Sequence, residues 1–363
     1  MTGNLKELCS LVSEKADALL LISPVNRRYV VGFSSSDGYV IVKKGEIFFI
    51  TDFRYFESVH IKQEEGMVDK DIKLVLQNSN VWFQLKELLS DCKTVMFEDS
   101  FVSVALHDKM KLTFADKELV SGGSKILCEM RSKKSKFELE CIKKAQSITD
   151  KTFSYMLSFI SDNVGKNDFT EKALALELEY FMLKNGSDGI AFDTIAVSSR
   201  KSSLPHGVPE DIPVSRGFLT MDFGARFDGY CSDMTRTVYI GKPSEEEKKV
   251  YNTVLCAQNA AFSQIRANVV GSNVDKAARD IIENSGYKGA FGHSLGHSLG
   301  LEIHEGPNFS PHEMGKIPLG AVLSVEPGIY LEGKYGVRIE DIVYVKQHGF
   351  ENLTHSSKDF IVI

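Results

Sequence analysis

Two patterns of hydrophobic and polar positions divide the chain, and the change between them falls near residue 124. In the first part, short apolar runs bounded by polar residues predict β-strands, and longer segments with repeating apolar residues predict helices. The predicted strands are Ala18–Ile22, Gly38–Val42, Ile47–Thr51 and Thr94–Phe97, and the predicted helices include Leu5–Lys15 and Trp82–Leu89. This interleaving favours an α/β module.

Longer helices mark the second part of the chain. Amphipathic patterns predict helices at Lys136–Phe159, Thr170–Leu183, Glu245–Arg266 and Val274–Ser285, with strands between and after them. The segment Ser121–Ser124, which contains two glycines, indicates a flexible break between the two parts. We therefore predict one domain over residues 1–124 and a second over residues 125–363.

A β-hairpin is predicted inside the second domain. Gly217–Ala225 has the pattern of a strand, Phe227–Gly229 has turn chemistry, and Tyr230–Ile240 has the pattern of the returning strand. In such a hairpin Asp222 and Asp233 would lie nearly opposite one another on one face, close enough to share a metal ion. A surface hairpin with two solvated aspartates is the alternative that these residues leave open.

Three later segments add further residues that can bind metal. His293–Pro307 places three histidines between glycines, which allow backbone to approach a cluster closely. Val322–Gly328 has the pattern of a buried strand that ends at a proline and carries Glu326, and Tyr335–Val345 is predicted to be another strand that carries Glu340. Five residues are therefore candidate metal ligands: Asp222, Asp233, His297, Glu326 and Glu340.

The charges of these candidate ligands favour two metal ions. Two divalent cations carry four positive charges, which balance the four carboxylates, whereas one cation would not. Oxygen donors with a single imidazole suit manganese, cobalt or zinc, and a pair of such ions typically activates a water molecule. Arg338 and Glu340 are two positions apart on one predicted strand, so we expect the guanidinium of Arg338 to contact the Glu340 carboxylate and orient it towards the metal without binding metal itself.

Composition and charge exclude several classes of protein. Of 363 residues, 43% are hydrophobic and 25% are charged, which is typical of a folded protein of about two domains. A net charge of −6 gives no global attraction for nucleic acid. We interpret Lys133, Lys134 and Lys136 as the solvated start of a helix. Six cysteines lack metal or redox spacing, and Ala18–Ile22 is too short for a signal peptide or a membrane span, so we predict a cytoplasmic protein with reduced thiols.

Taken together, these segments resemble the pita-bread metallopeptidases, and specifically their proline-specific branch of aminopeptidase P and prolidase. The similarity rests on the motifs Asp222–Gly224, Asp233–Thr237, Gly296–Gly300, Glu326–Gly328 and Arg338–Asp341, which occur in the family's order. The resemblance implies a creatinase-type α/β domain at the N-terminus and a pita-bread α+β catalytic domain after it.

The resemblance also implies a role for each candidate ligand. Asp222 would chelate one metal ion, His297 and Glu326 would bind the other, and Asp233 and Glu340 would bridge both. The cofactor would be two divalent ions per subunit, with manganese favoured and cobalt or zinc as alternatives.

Three histidines outside the metal shell receive roles from the same resemblance. His206 would steady the substrate and the tetrahedral intermediate, and His304 would help to bind the substrate carbonyl. His293 would line the proline side of the cleft. Glu326 would also move the proton from the attacking water to the leaving nitrogen, as a general base and then a general acid.

The predicted function is hydrolysis of the Xaa-Pro bond at the N-terminus of peptides by a homodimeric enzyme. A prolidase, which cleaves only dipeptides, is the alternative, and substrate length stays open because no arginine stands out as a clamp for a free carboxylate. A scaffold without activity is disfavoured because all five ligand positions are present. The methionine aminopeptidases share these ligands, but Val30–Gly38 and Phe49–Tyr55 resemble the N-terminal domain of the proline peptidases.

Overall fold

A computed structural model describes residues 3–363 of the chain. Contacts within the chain divide it into two units, Met1–Met130 and Arg131–Ile363. The first unit interleaves helices and strands, and the second combines long helices with several small sheets. The α/β and α+β fold classes predicted for the two parts are therefore confirmed.

The first unit is built around one six-stranded sheet with the strand order β4-β3-β2-β1-β5-β6. Its elements are α1 (Gly3–Ser13), β1 (Ala18–Leu21), α2 (Pro24–Val31), β2 (Tyr39–Lys43), β3 (Glu46–Thr51), α3 (Phe53–Glu64), β4 (Ile72–Leu76), α4 (Val81–Leu88), β5 (Thr94–Phe97), α5 (Val104–Thr113), β6 (Glu118–Val120) and α6 (Gly123–Arg131). Strand β1 is buried on both faces, because Leu19 and Leu21 lie in one hydrophobic cluster and Leu20 lies in another. That burial explains its continuous apolar run.

The flexible break predicted at Ser121–Ser124 is partly wrong. Helix α6 begins at Gly123, and its residues Ile126 and Leu127 are buried in the core of the first unit. The division by contacts therefore falls after this helix, between Met130 and Arg131.

The second unit contains four long helices and small antiparallel sheets. Its elements are α7 (Lys136–Asn163), α8 (Glu171–Lys184), β7 (Gly189–Ile190), β8 (Ile195–Ser198), a 3-10 turn (Ser199–Ser203), β9 (Gly217–Phe223), β10 (Ala225–Phe227), β11 (Tyr230–Cys231), β12 (Met234–Ile240), α9 (Glu245–Phe262), α10 (Gly271–Ile282), a π turn (Glu283–Tyr287), β13 (Gly296–Ser298), β14 (Glu305–Phe309), β15 (Val322–Val325), β16 (Gly328–Leu331), β17 (Tyr335–Arg338), β18 (Asp341–Lys346) and β19 (Gly349–Asn352). The main sheets have the orders β12-β9-β8 and β14-β13-β15-β18-β19.

The hairpin that carries the two aspartates forms with a register different from the predicted one. Asp228 and Gly229 both have positive φ angles, 44° and 74°, as a two-residue type I′ turn requires. With this turn Thr235 lies opposite Asp222, and Asp233 is displaced diagonally by two positions. Gly224 allows this arrangement, because a Cβ atom there would lie 2.0 Å from the Ser232 carbonyl oxygen.

Side chains along β9 point alternately to the hydrophobic core and to the site. Leu219, Met221 and Phe223 are fully buried and share a hydrophobic cluster with Met156 of α7. These three side chains therefore point away from Asp222, because successive side chains on a strand point to opposite faces.

The single strand predicted over Tyr335–Val345 is wrong. The chain forms β17 and β18 instead, and Ile339 and Glu340 lie between them. Strand β17 pairs with β16, whereas β18 pairs with β15 and β19. Glu340 is therefore placed at the point where the backbone passes from one sheet to another.

No helix within residues 3–363 has both the length and the apolar character needed to cross a bilayer.

Candidate metal centre

The residues predicted for the site all line one cavity of about 480 Å³ in the second unit. The cavity is bounded by strands of both main sheets and by the loops that follow them. The nine predicted residues among its lining are Asp222, Asp233, His297, Glu326, Glu340, His206, His293, His304 and Arg338.

The candidate ligands approach one another closely. Asp233, His297 and Glu340 each offer one ligand atom, and these three atoms lie within 4.8 Å of one another. The Nε2 atom of His297 lies 3.5 Å from an Asp233 oxygen and 3.4 Å from a Glu326 oxygen. This is the spacing of side chains that surround a common point.

Ser324 of β15 organises the half of the site that contains His297. Its hydroxyl accepts a hydrogen bond of 3.0 Å from the His297 backbone N–H and donates one of 3.1 Å to Glu326. The neighbouring Gly296 must be a glycine, because a Cβ atom there would lie 2.0 Å from the Ser324 carbonyl oxygen. The predicted role of glycine in this segment, close backbone approach, is confirmed at this position.

Arg338 organises the other half of the site. Its Nη2 atom donates to Asp222 at 2.7 Å, and its Nε atom donates to the Thr235 hydroxyl at 2.9 Å. Thr235 in turn donates to Glu340 at 2.8 Å. The guanidinium therefore contacts Asp222 directly and reaches Glu340 through Thr235. Thr235 lies in the Asp233–Thr237 motif, but no role was predicted for it.

A second buried arginine fixes the passage between β17 and β18. Arg236 is 1% exposed, and its Nη1 atom donates to the backbone carbonyls of Thr235 and Glu340. Its Nη2 atom donates to Asp341 at 2.7 Å. These bonds hold Glu340 at the break between the strands. Arg236, the arginine of the Asp233–Thr237 motif, therefore positions Glu340 by binding backbone carbonyl groups rather than its carboxylate.

The electrostatics of the site favour a bound cation. Burial, together with the negative charges of the neighbouring carboxylates, raises the pKa values of Asp233 and Glu340 well above their usual range. Burial also raises the pKa of Glu326 to about 8. Within the described residues, Asp222 Oδ1 and Glu340 Oε1 are buried without a hydrogen-bond partner, which is costly unless another group binds them. Divalent cations would satisfy these atoms and neutralise the charge.

His297 is held in the form that a metal ligand requires. Burial and the nearby His304 lower its pKa to about 4, so the imidazole is neutral at neutral pH and keeps a lone pair available.

The three outer histidines differ in their surroundings. Burial lowers the pKa of His293 to about 4; its Nδ1 atom lies 2.8 Å from the Ser294 carbonyl and its Nε2 atom 2.9 Å from the Tyr330 hydroxyl. The ring of His304 lies edge-on to that of His297, with 4.4 Å between centroids. His206 lines the cavity beside Pro205. Tyr330 was not predicted from the sequence, and its hydroxyl also accepts a hydrogen bond from Arg338 at 2.9 Å.

Comparison with known families identifies the chain. Residues 140–347 match the model of metallopeptidase family M24. The chain belongs to family M24. Residues 8–132 match the creatinase/prolidase N-terminal domain, so the two-domain architecture implied by the resemblance is confirmed.

Relatives of this M24 peptidase are similar over almost their whole length. The chain is 34% identical to a Xaa-Pro dipeptidase of Pyrococcus furiosus, over 99% of the chain and 100% of that relative. Its structure is similar to that of a Xaa-Pro dipeptidase from Bacillus anthracis, with a TM-score of 0.91, 34% identity and coverage of 99% and 98%. It is also similar to an X-Pro aminopeptidase from Thermotoga maritima, with a TM-score of 0.89, 36% identity and coverage of 99% of each chain. The chain is therefore a hydrolase of the Xaa-Pro dipeptidase and aminopeptidase family.

A buried ionic cluster holds the loop of the M24 site that carries His304. The Glu305 carboxylate accepts hydrogen bonds from Arg131 at 2.5 Å and from Lys134 at 3.0 Å. The Lys134 side chain is 1% exposed and that of Glu305 is 6% exposed. The interpretation of Lys134 as part of a solvated helix start is therefore wrong, because the tertiary structure supplies it with a buried partner.

We expect Glu305→Gln to lower the free energy of unfolding of the second unit by about 3 kcal/mol, because it leaves two buried cations with less compensation. Differential scanning calorimetry is the suitable measurement, since the single tryptophan, Trp82, lies in the first unit and would not report on this change.

Glu302→Gln is the matched control for this prediction. Glu302 binds the same Arg131 at 2.6 Å, but its side chain is 50% exposed. We expect this variant to change the stability by less than about 1 kcal/mol, as is usual for an exposed ion pair. Equal effects of the two substitutions would show that burial of Glu305 does not determine its contribution.

Proposed function

We propose that this chain is a metal-dependent aminopeptidase that hydrolyses the Xaa-Pro bond at the N-terminus of peptides. The observation that carries the proposal is the convergence of four carboxylates and His297 on one cavity in a member of family M24. The names of the relatives support proline specificity, because they include both Xaa-Pro dipeptidases and an X-Pro aminopeptidase.

The residues present fit two divalent cations. Asp222 would hold one ion, His297 and Glu326 the other, and Asp233 and Glu340 both, which would satisfy the unpartnered oxygens of Asp222 and Glu340. Manganese suits this oxygen-rich set, with cobalt or zinc as alternatives. When bound, the ions lower the pKa of water and polarise the scissile carbonyl.

Glu326 is the side chain that moves the proton. It lies beside His297 at the wall of the cavity, and its Oε1 atom accepts a hydrogen bond from Ser324, which fixes the orientation of the carboxylate. It would take a proton from the attacking water and give it to the leaving nitrogen. That nitrogen is tertiary in an Xaa-Pro bond and has no hydrogen, so proton donation by Glu326 assists its departure.

The outer histidines bind the substrate around the reacting carbonyl. His206 and His304 would donate hydrogen bonds to the oxygen on which negative charge develops. His293, whose position is fixed by its contact with Tyr330, would line the proline side of the cavity. Each of these residues acts without contributing to the metal shell.

We expect His206→Ala and His304→Ala to depress turnover by about 10²–10³-fold, the scale of losing one donor to a transition state. Metal content, measured by elemental analysis, should stay near that of the wild type. Loss of metal from either variant would make that histidine a ligand, and unchanged kinetics would leave it without a catalytic role.

Acceptance of peptides longer than two residues follows from the charges of the cavity. Among the described residues that line it, Arg338 is the one arginine or lysine, and it is 4% exposed and bound to Asp222, Thr235 and Tyr330. No arginine or lysine among these lining residues is thus left to bind the free carboxylate of a dipeptide. Prolidase activity is the second candidate, favoured by the dipeptidase names of two relatives.

A panel of three peptides tests the proposal. The purified chain would be incubated with Arg-Pro-Pro, Ala-Pro and Met-Ala-Ser under manganese, cobalt and zinc, and the products separated by chromatography. We expect release of the N-terminal arginine from Arg-Pro-Pro and no cleavage of Met-Ala-Ser. Cleavage confined to Ala-Pro would establish a prolidase, and preference for Met-Ala-Ser would contradict proline specificity.

We also propose that the chain forms a homodimer and that it is located in the cytoplasm. Cysteines at positions 9, 92, 128, 141, 231 and 256 are all free, which suits a reducing compartment. Light scattering coupled to size-exclusion chromatography tests the oligomeric state, and fractionation of cells tests the location.

A further inference from the structure

We propose that Asp193 recognises a positively charged side chain on the N-terminal residue of the substrate, so that the enzyme prefers peptides that begin with arginine or lysine before proline. The inference rests on the proposed Xaa-Pro peptidase function and specifies the substrate class of the same site.

The position of Asp193 in the fold directs it into the cavity. Strand β8 pairs with β9, and Ile195 lies directly opposite Asp222 in this pairing. Asp193 precedes Ile195 by two positions, and the backbone N–H of Ala191 still bonds to the Gly224 carbonyl at 2.8 Å, so the chain stays alongside the hairpin there. Alternate positions of an extended chain share a face. Asp193 and Ile195 accordingly line the cavity together with Asp222.

The order of the strands places Asp193 on the side opposite the histidine segment. Asp222 lies on β9, which is bordered by β8 on one side and by β12 on the other. His297 lies on β13 in the second main sheet, where β13 is bordered by β14 and β15. Asp233 directly precedes β12 and lies 3.5 Å from the Nε2 atom of His297, so the histidine segment approaches Asp222 from the β12 side, whereas Asp193 lies on the β8 side. If proline is bound near His293, the residue before the scissile bond is directed towards Asp193.

The carboxylate of Asp193 is available to form an ion pair with a substrate. The carboxylates of the metal centre would be balanced by two divalent ions, and Arg338 is buried among its partners. Asp193 is exposed, and within residues 3–363 its carboxylate has no hydrogen bond or ion pair. A cationic side chain that enters the cavity would therefore find Asp193 uncompensated.

The neighbours of Asp193 suit a long cationic side chain. Phe192 and Ile195 line the same wall and are half-buried, so they offer apolar surface beside the carboxylate. Arginine and lysine carry their charge at the end of an apolar stem, which packs on such surfaces while the charged end stays in contact with water. The combination of apolar wall and terminal carboxylate matches both parts of these side chains.

The test compares Arg-Pro-Pro with citrulline-Pro-Pro, since citrulline has nearly the shape of arginine without its charge. For the wild-type enzyme loaded with manganese, we expect kcat/KM to be about 3–5-fold higher for the arginine peptide, the scale of an exposed ion pair. This ratio should fall to about 1 in Asp193→Asn, persist in Asp193→Glu, and decrease as ionic strength rises. Asp211→Asn is the matched control, because Asp211 is exposed but lies outside the cavity lining, and the ratio should stay at its wild-type value.

Two outcomes would overturn the inference, and a third would overturn the function on which it rests. Equal kcat/KM values for the two peptides with the wild-type enzyme would show that the charge is not recognised. An equal loss for both peptides in Asp193→Asn would assign Asp193 to the substrate α-ammonium group, or to the structure of the wall, instead of the side chain. Failure of the wild-type enzyme to cleave Arg-Pro-Pro, citrulline-Pro-Pro and Ala-Pro-Pro would overturn the proposed function itself, and is thereby distinguished from the first two.

Discussion

We expect removal of divalent metal by a chelator to abolish peptide hydrolysis by this chain, and addition of manganese or cobalt to restore it. This is the largest effect that we expect, because four carboxylates and His297 line one cavity and the proposed attacking group is a water molecule that bound ions would activate. The measurement is the rate of Arg-Pro-Pro cleavage after dialysis against chelator, before and after each metal is added back.

Magnesium and calcium serve as controls in this experiment, since an oxygen-rich site with an imidazole ligand favours transition metals over these ions. The metal-free protein should recover its activity without refolding. Undiminished activity of protein shown by elemental analysis to be free of metal would rule out the proposed mechanism.

Loss of both metal ions is the second large effect, and we expect it for Asp233→Ala and for Glu340→Ala. Each carboxylate would serve two ions, so its removal should lower occupancy at both positions, and turnover should fall to the level of the metal-free protein. Asp233 is 4% exposed and Glu340 is 1% exposed, so bulk water cannot easily replace either carboxylate.

Asp222→Ala is the contrasting variant, because Asp222 would hold only one of the two ions. Metal analysis should find close to one ion per chain in this variant and fewer in the other two. Two tightly bound ions in Asp233→Ala or Glu340→Ala would show that the bridging roles are assigned to the wrong residues.

Local patterns predicted many elements of both units, but they did not predict the edge strands and several helices of the first unit. Strands β4 and β6 at the two edges of its sheet were not predicted, and neither were α2, α3 and α5. Edge strands are partly exposed and lack the continuous apolar run of β1. Helix α5 buries little more than Met110, so its amphipathic pattern is weak. Helix α2 did carry a local signal, since Ser23 caps it, Pro24 begins it and Gly32 ends it at a φ of 78°.

The sequence predicted which residues line the candidate site, but it did not predict how they are arranged in space. Aspartates, glutamates and histidines in otherwise apolar or glycine-rich strand segments are a local feature, and the cavity contains every residue that was proposed from them. Their metal-binding and catalytic roles stay predictions. The diagonal placement of Asp233 was missed, because the separation of two residues in a hairpin does not fix the register until the turn type is known.

The sequence by itself determined which chemical groups this protein could bring together and the elements that carry most of them, because side-chain type and hydrophobic period are properties of neighbouring residues. The tertiary structure alone decided how these groups are held. Thr235 bonds to Glu340 across 105 positions, and Lys134 meets Glu305 across 171. Such contacts depend on the packing of segments far apart in the chain, and burial then sets the pKa of Glu326 and the charge state of His297, which no local pattern encodes.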